Sequence, residues 1–223
     1  MPSYEIELKS LLGDHARAAQ FQAALQADGA VLDATSQQLN HYFVGDHLQA
    51  LHTAAAAYLT ADDSAQLATI AAHAVQSSVR TRQLNDTVLL IVKASIDATT
   101  SANGIARLEF EAPTLGLTLD ALDALVQSAG FGVQAKWSRH REQYTLDGIT
   151  VCLDRNAGYG YLAEFELMVQ DAADADTAKQ RLSALMARLG VDELPQARLE
   201  RMFAHYNAHW AAYYGTDRTF TVD

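Results

Sequence analysis

Residues 4–9 read Tyr-Glu-Ile-Glu-Leu-Lys, with apolar and charged positions in strict alternation. A period of two puts Tyr4, Ile6 and Leu8 on one face of a strand and Glu5, Glu7 and Lys9 on the other. The spacing recurs along the chain. Arg80 and Arg82 flank Thr81, Arg107, Glu109 and Glu111 alternate with Leu108 and Phe110, Arg139 and Arg141 flank His140, and Glu164 and Glu166 flank Phe165. Most of these segments predict strands: Gln37 to Phe43, Ser78 to Leu84, Thr87 to Lys93, Ile105 to Ala112, Phe131 to Tyr144, Ile149 to Asp154 and Leu162 to Val169. Asn85-Asp86 and Asp147-Gly148 are hairpin turn signals. A two-residue loop at Asn85-Asp86 sets Arg82 opposite Leu89, Arg80 opposite Ile91 and Ser78 opposite Lys93. Opposed residues share a face, so Lys93 joins the two arginines.

The helical period fills the spaces between these strands. Asp14 is a good N-cap for His15 to Ala27, where Ala18, Phe21 and Leu25 recur on one side and Gly29 is a stop. Asp46 to Ser77 is alanine-rich and reads as a helical pair, with a break and a new cap at Asp62-Asp63-Ser64. Thr118 caps Leu119 to Ala129. The C-terminal part carries Asp176 to Leu189, stopped by Gly190, and Leu194 to Tyr214 with Pro195 near its start. Asp97 to Gly104 reads as a polar loop, and Gly158-Tyr159-Gly160 permits a bulge or tight bend.

The chain has 223 residues and a net charge of −11. That balance argues against nucleic acid or an anionic membrane surface as a general partner, since both reward a basic field. A small anion held by a local basic cluster or by bridging cations stays open. Cys152 is the single cysteine, which fits a reducing compartment. The chain opens on no basic-then-apolar leader, and the aliphatic run Val88 to Val92 is too short to cross a bilayer. The expectation is a soluble, cytoplasmic protein of one domain over residues 1–223. The helical insertion occupies about 46–77 and the C-terminal helices about 174–214.

Charged faces on so many strands mean a sheet laced with surface ion pairs or one rolled up with its charges inside. The second arrangement gives a polar bore. Two carboxylates at i and i+2 on a strand reach one hard cation or two adjacent ones, and Mg²⁺ or Mn²⁺ takes such oxygen ligands together with substrate phosphate. Glu5/Glu7 and Glu164/Glu166 are the two best pairs, and Glu109, Glu111 and Asp154 extend the metal-ligating set. Lys and Arg on neighbouring strands suit a polyphosphate, with Arg able to bind it bidentately. Trp137, Tyr144 and Tyr161 are candidate stacking residues for a base.

In that order, Glu5-x-Glu7-x-Lys9, Arg80-x-Arg82, Lys93, Arg107-x-Glu109-x-Glu111, Arg139-x-Arg141, Asp154 and Glu164-x-Glu166 resemble the CYTH superfamily, the triphosphate tunnel metalloenzymes. That group includes class IV adenylyl cyclases, thiamine triphosphatases and inorganic triphosphatases. The resemblance implies an α+β fold built on a closed antiparallel eight-stranded barrel with surrounding helices. It implies Mg²⁺ or Mn²⁺ at Glu5, Glu7, Glu164 and Glu166, with Asp154 nearby. It implies triphosphate contacts from Lys9, Arg80, Arg82, Lys93 and Arg141, with Arg107 and Arg139 adding basic charge. Arg139 stands where the family often has Lys. Lys9 and Glu7 are the candidate catalytic residues. The expected function is metal-dependent hydrolysis of a small-molecule triphosphate by a monomer or homodimer. The alternatives are an adenylyl cyclase making cyclic AMP and pyrophosphate from ATP, and a polyphosphate- or nucleotide-binding module without turnover.

Overall fold

The computed structural model describes residues 4–95 and 107–222. The expected polar loop at Asp97 to Gly104, and the start of the strand expected from Ile105, lie outside the described residues. In chain order the elements are β1 (Tyr4–Gly13), α1 (His15–Ala27), β2 (Val31–Val44), α2 (Leu48–Ala55), α3 (Ala61–His73), β3 (Gln76–Leu84), β4 (Thr87–Ser95), β5 (Arg107–Pro113), α4 (Leu119–Ser128), β6 (Gly132–Leu146), β7 (Ile149–Asn156), β8 (Gly160–Val169), α5 (Ala175–Arg188) and α6 (Gln196–His209). Short 3-10 turns follow α2 and α6 and precede α5.

Local chemistry accounts for most boundaries. Asp14 accepts a hydrogen bond from the Arg17 backbone N–H at 2.9 Å and opens α1. Thr118 accepts from the Ala121 N–H and opens α4. The cap expected at Asp62-Asp63-Ser64 falls instead on Thr60, whose hydroxyl accepts from the Asp63 N–H. Asp62 and Asp63 therefore occupy the first turn of α3, where negative charge suits the helix dipole. Asn85 and Asp147 have φ of 51° and 54°, the left-handed backbone that tight hairpins require. The strand expected at Gln37 to Phe43 is longer, beginning at Val31.

The eight strands form one antiparallel sheet in the order β1-β8-β7-β6-β2-β3-β4-β5. The expected closed barrel is not what these hydrogen bonds make. Among the described residues β1 and β5 are the two ends of the sheet, each paired on one side only. The chain divides into two compact units, Met1–Gln37 with Trp137–Asp223, and Gln38–Lys136.

In the first unit, α1 and α5 cover one face of the strands. Ala18, Phe21, Leu25, Leu182, Leu185 and Met186 pack with Leu8, Tyr144, Val151 and Phe165. A second cluster, built on Tyr159, Leu162, Leu194, Met202 and Tyr206, joins α6 to the strands. Trp137 stacks on Tyr206 with ring centroids 3.5 Å apart. Gly160 has φ +74°, and a Cβ there would lie 2.1 Å from the Gly13 carbonyl oxygen, so only glycine fits this crossing. In the second unit, α2, α3 and α4 cover β3, β4 and β5 through Leu51, Leu67, Ile70, Leu122 and Val126 against Val79, Leu90, Val92 and Phe110. Among the described residues no helix is long and apolar enough to cross a membrane.

Candidate active site

Register decides which side chains meet. In the first unit Glu7 opposes Glu166 and Lys9 opposes Glu164 across β1 and β8. Cys152 opposes Glu164 across β7 and β8, and Arg141 opposes Asp154 across β6 and β7. Opposed residues point the same way, so these strands turn one charged face away from the α1 and α5 side. Glu5, Glu7, Lys9, Arg139, Arg141, Asp154, Glu164 and Glu166 all belong to it.

Three carboxylates converge there. Ligand oxygens of Glu7, Glu164 and Glu166 lie within 4.8 Å of one another. All-oxygen donors at that spacing fit a hard divalent cation. Lys9 Nζ is bonded to Glu7 and lies 3.4 Å from Glu164. Burial works to lower the Lys9 pKa, but Glu164 and Glu7 outweigh it and raise it above the ordinary lysine value. The ammonium therefore stays charged. Glu5 is exposed, and its charge acts on the cluster by raising Glu166.

Glu166 differs from its neighbours. Burial, with repulsion from Glu164 and Glu5, pushes its carboxyl up to about 7. Glu164 goes the other way. Its burial is opposed by Lys9, Arg141 and Arg139, which together hold it below the usual range. Two carboxylates two residues apart are thus driven apart by which cations reach them.

Asp154 is 0% exposed and fully engaged by arginines. Arg141 donates Nε to one of its oxygens and Nη2 to the other, both at 2.7 Å, and Arg139 donates Nη1 at 2.9 Å. Arg141 also bonds Glu164. This two-point grip fixes the plane of the Arg141 guanidinium. Cys152 sits among these charges as a buried thiol, and burial pushes its pKa up to about 12.

The other expected residues lie in the second unit. The predicted hairpin register holds, with Arg82 opposite Leu89, Arg80 opposite Ile91 and Lys93 opposite Ser78. Ile91 opposes Glu111 and Lys93 opposes Glu109, so β5 contributes to the same face. Lys93 Nζ pairs with Glu109 at 2.9 Å, and Arg82 reaches Glu111 at 3.5 Å. Glu109 and Glu111 thus each neutralise a cation of their own unit. Arg107 stands on β5 opposite Ser95. Its side chain lies outside what the structure describes.

Two supporting residues escaped the sequence reading. Asn40 accepts from Arg82 Nε at 2.6 Å, and the Tyr42 ring lies 4.4 Å under the Arg80 guanidinium. Their signal was available, since Asn40 and Tyr42 alternate on a strand that pairs with Arg80-x-Arg82. Arg80 Nε is buried and has no hydrogen-bond partner among the described residues. A buried donor without an acceptor is uncommon, and an anionic acceptor would satisfy it.

The candidate base-stacking rings are engaged elsewhere. Tyr144 is in the helix-covered core and donates to Glu142, Tyr161 packs on His15, and Trp137 is stacked on Tyr206.

The family model described as CYTH domain matches residues 66–198. Among curated proteins no sequence matches the chain. Among solved structures, the PH1819 protein of Pyrococcus horikoshii OT3 is similar at 21% identity and a TM-score of 0.59, covering 91% of this chain and 99% of that one. A candidate adenylate cyclase from Vibrio parahaemolyticus is similar at 17% identity and 0.58, covering 92% and 99%. HpAC1 from Hippeastrum, whose structure is described as revealing a dominant triphosphatase activity, is similar at 16% identity and 0.50, covering 89% and 95%. At these identities the likeness is one of fold.

Proposed function

The chain belongs to the CYTH domain family, and from that premise we propose that it is a divalent-metal-dependent hydrolase of triphosphate-containing small molecules. The observation that carries this reading is the convergence of Glu7, Glu164 and Glu166 beside Lys9 and Arg141.

Glu7, Glu164 and Glu166 are the residues that would hold Mg²⁺ or Mn²⁺. When bound, such an ion supplies positive charge against the phosphates and makes water a stronger acid. Glu166 would have to be ionised to act as a ligand, and its raised value near 7 leaves that form accessible at neutral pH. Lys9 remains an ammonium, so it acts as a donor that holds a phosphoryl oxygen or orients the attacking water. It does not act as a base. Arg141, fixed edge-on by Asp154, presents its charge without freedom to rotate. In this reading Asp154 is the residue that holds Arg139 and Arg141. Cys152 stays a neutral thiol and takes no part as a nucleophile.

Arg80, Arg82 and Lys93 are the phosphate-binding cations of the second unit. Phosphoryl transfer asks the protein mainly for positioning and charge neutralisation, which cations held by Asn40, Tyr42 and Glu109 supply. The engagement of Trp137, Tyr144 and Tyr161 elsewhere favours recognition of the substrate through its phosphates.

Phosphorus NMR of the products separates the readings. Tripolyphosphate with Mn²⁺ should give orthophosphate and pyrophosphate, and ATP should give no cyclic AMP. Cyclic AMP with pyrophosphate from ATP would establish the cyclase. Thermal stabilisation by tripolyphosphate with no product from either would establish a binding module.

A further inference from the structure

The tripeptides Asn40-His41-Tyr42 and Arg80-Thr81-Arg82 lie antiparallel and in register: Asn40 opposes Arg82, His41 opposes Thr81, and Tyr42 opposes Arg80. The outer pairs share one face, where Asn40 accepts from Arg82 and Tyr42 underlies Arg80. The central pair points to the opposite face, toward the helices. There both central side chains meet one residue, Asp123 of α4. The Thr81 hydroxyl donates to one carboxylate oxygen at 2.6 Å, and His41 Nδ1 lies 2.7 Å from the other. Lys136 Nζ donates to that second oxygen at 2.9 Å. His41, Thr81 and Asp123 are 1%, 0% and 3% exposed.

We propose that Asp123 is a positioning residue for the phosphate-binding arginines Arg80 and Arg82. The proposal rests on the reading of those arginines given above. A carboxylate buried in an apolar helix face is retained only when its oxygens are satisfied, and here three groups satisfy them. Charge-assisted hydrogen bonds are about twice as strong as neutral ones. Asp123 thereby ties the midpoint of both tripeptides to α4. Each arginine is one residue from a tied position, and so is the residue that supports it. The tie fixes how far, and at what angle, the arginine pair stands on its face. The direction of the Asp123 pKa agrees. Burial opposes ionisation, but His41, Thr81 and Lys136 together hold the carboxyl below its ordinary value.

The alternation of the strands concealed this group. In the sequence Thr81 stands only as the residue between two arginines, and nothing local marks His41 or Asp123 as its partners.

The test uses Asp123→Asn and Thr81→Val in the full chain. The amide offers one acceptor oxygen where the carboxylate offers two, and valine removes a single hydroxyl at nearly constant shape. With tripolyphosphate and Mn²⁺, Asp123→Asn should raise KM about tenfold and leave kcat within about threefold. Thr81→Val should move KM the same way by less. The second readout needs no activity. In protein carrying ¹⁵N-arginine, the Arg82 Nε–H signal should shift and exchange faster in both variants, while the Arg141 Nε–H signal, held by Asp154 in the other unit, stays in place. An unchanged Arg82 signal in a folded variant overturns the proposal, and so does an unchanged KM beside an active wild type. If Asp123→Asn does not fold, Thr81→Val decides by the same two readouts. A wild type that neither hydrolyses nor binds tripolyphosphate defeats the hydrolase reading. The Arg82 signal still decides whether Asp123 positions the arginine.

Discussion

The two charged faces are built from the same alphabet and use it differently. On the β1, β8, β7 and β6 face, five carboxylates (Glu5, Glu7, Asp154, Glu164 and Glu166) meet three cations, and the cations are locked into the acids. On the β3, β4 and β5 face the cations are held one at a time. Arg82 rests on Asn40 and Glu111, Lys93 on Glu109, and Arg80 on a tyrosine ring with Nε left over. Around Asp154 and Glu164 the first face is a mutual lattice, and removing either leaves buried guanidinium charge without its partner. The second is a set of separate supports. Charge on the acid-rich face should therefore couple to stability, and charge on the basic face should couple to ligand affinity.

The sharpest break is Glu164→Gln. It removes one of three converging carboxylates and the shared partner of Lys9, Arg139 and Arg141. Turnover should fall about 10³-fold, and the protein should lose about 3 kcal/mol. Activity and a thermal melt together check both losses. Asp154→Asn should act mainly on the fold, because the amide cannot satisfy the two-point grip of Arg141. The expected loss is again about 3 kcal/mol, read as a melting point lower by about 10 °C. An unchanged melting point would mean that the lattice is not a lattice.

Arg80→Ala is the contrasting case. Among the described residues its Nε has no hydrogen bond to lose, so the melting point should stay within about 2 °C. Tripolyphosphate affinity, measured by calorimetry, should fall about tenfold or more. A large loss of stability with unchanged affinity would reverse the comparison.

The smallest effect is one of pH. Mn²⁺ at the proposed site would need Glu166 ionised, and its carboxyl stands near 7. Mn²⁺ affinity should fall about tenfold per pH unit below that value and level off above it. Glu166→Gln should flatten the profile. In the metal-free protein the sign is opposite. A folded value above the unfolded one favours the folded state fully below about 4.5, and that contribution is lost as pH rises through about 7. At pH 8 the metal-free Glu166→Gln protein should therefore melt higher than wild type, by about 3 °C. At pH 4 the two should coincide.

Much of this was legible because it is local. Strict alternation names the face of each charge, and a two-residue turn at Asn85-Asp86 fixes the β3–β4 register, which the structure bears out. Asp14 and Thr118 announce their helices by side-chain chemistry one turn ahead. What was hidden depends on partners far along the chain. Asp123 meets His41 and Thr81 across separations of 82 and 42 residues, and nothing near Asp123 marks it as buried. Asp154 reads as a further acid near the metal-ligating glutamates, and only the strand register adds that Arg141 lies directly opposite and bonds both its oxygens. Trp137 shares the parity of Arg139 and Arg141 but is covered by Tyr206, which a helix some seventy positions later brings to it.

The most direct test of the carboxylate cluster as a metal-dependent catalytic site is phosphate release from tripolyphosphate over a Mn²⁺ titration, with Glu7→Gln alongside wild type. Release that rises with Mn²⁺ and is lost at least about 10²-fold in the variant is the predicted result. Release that is independent of Mn²⁺, or fully retained in Glu7→Gln, would contradict it.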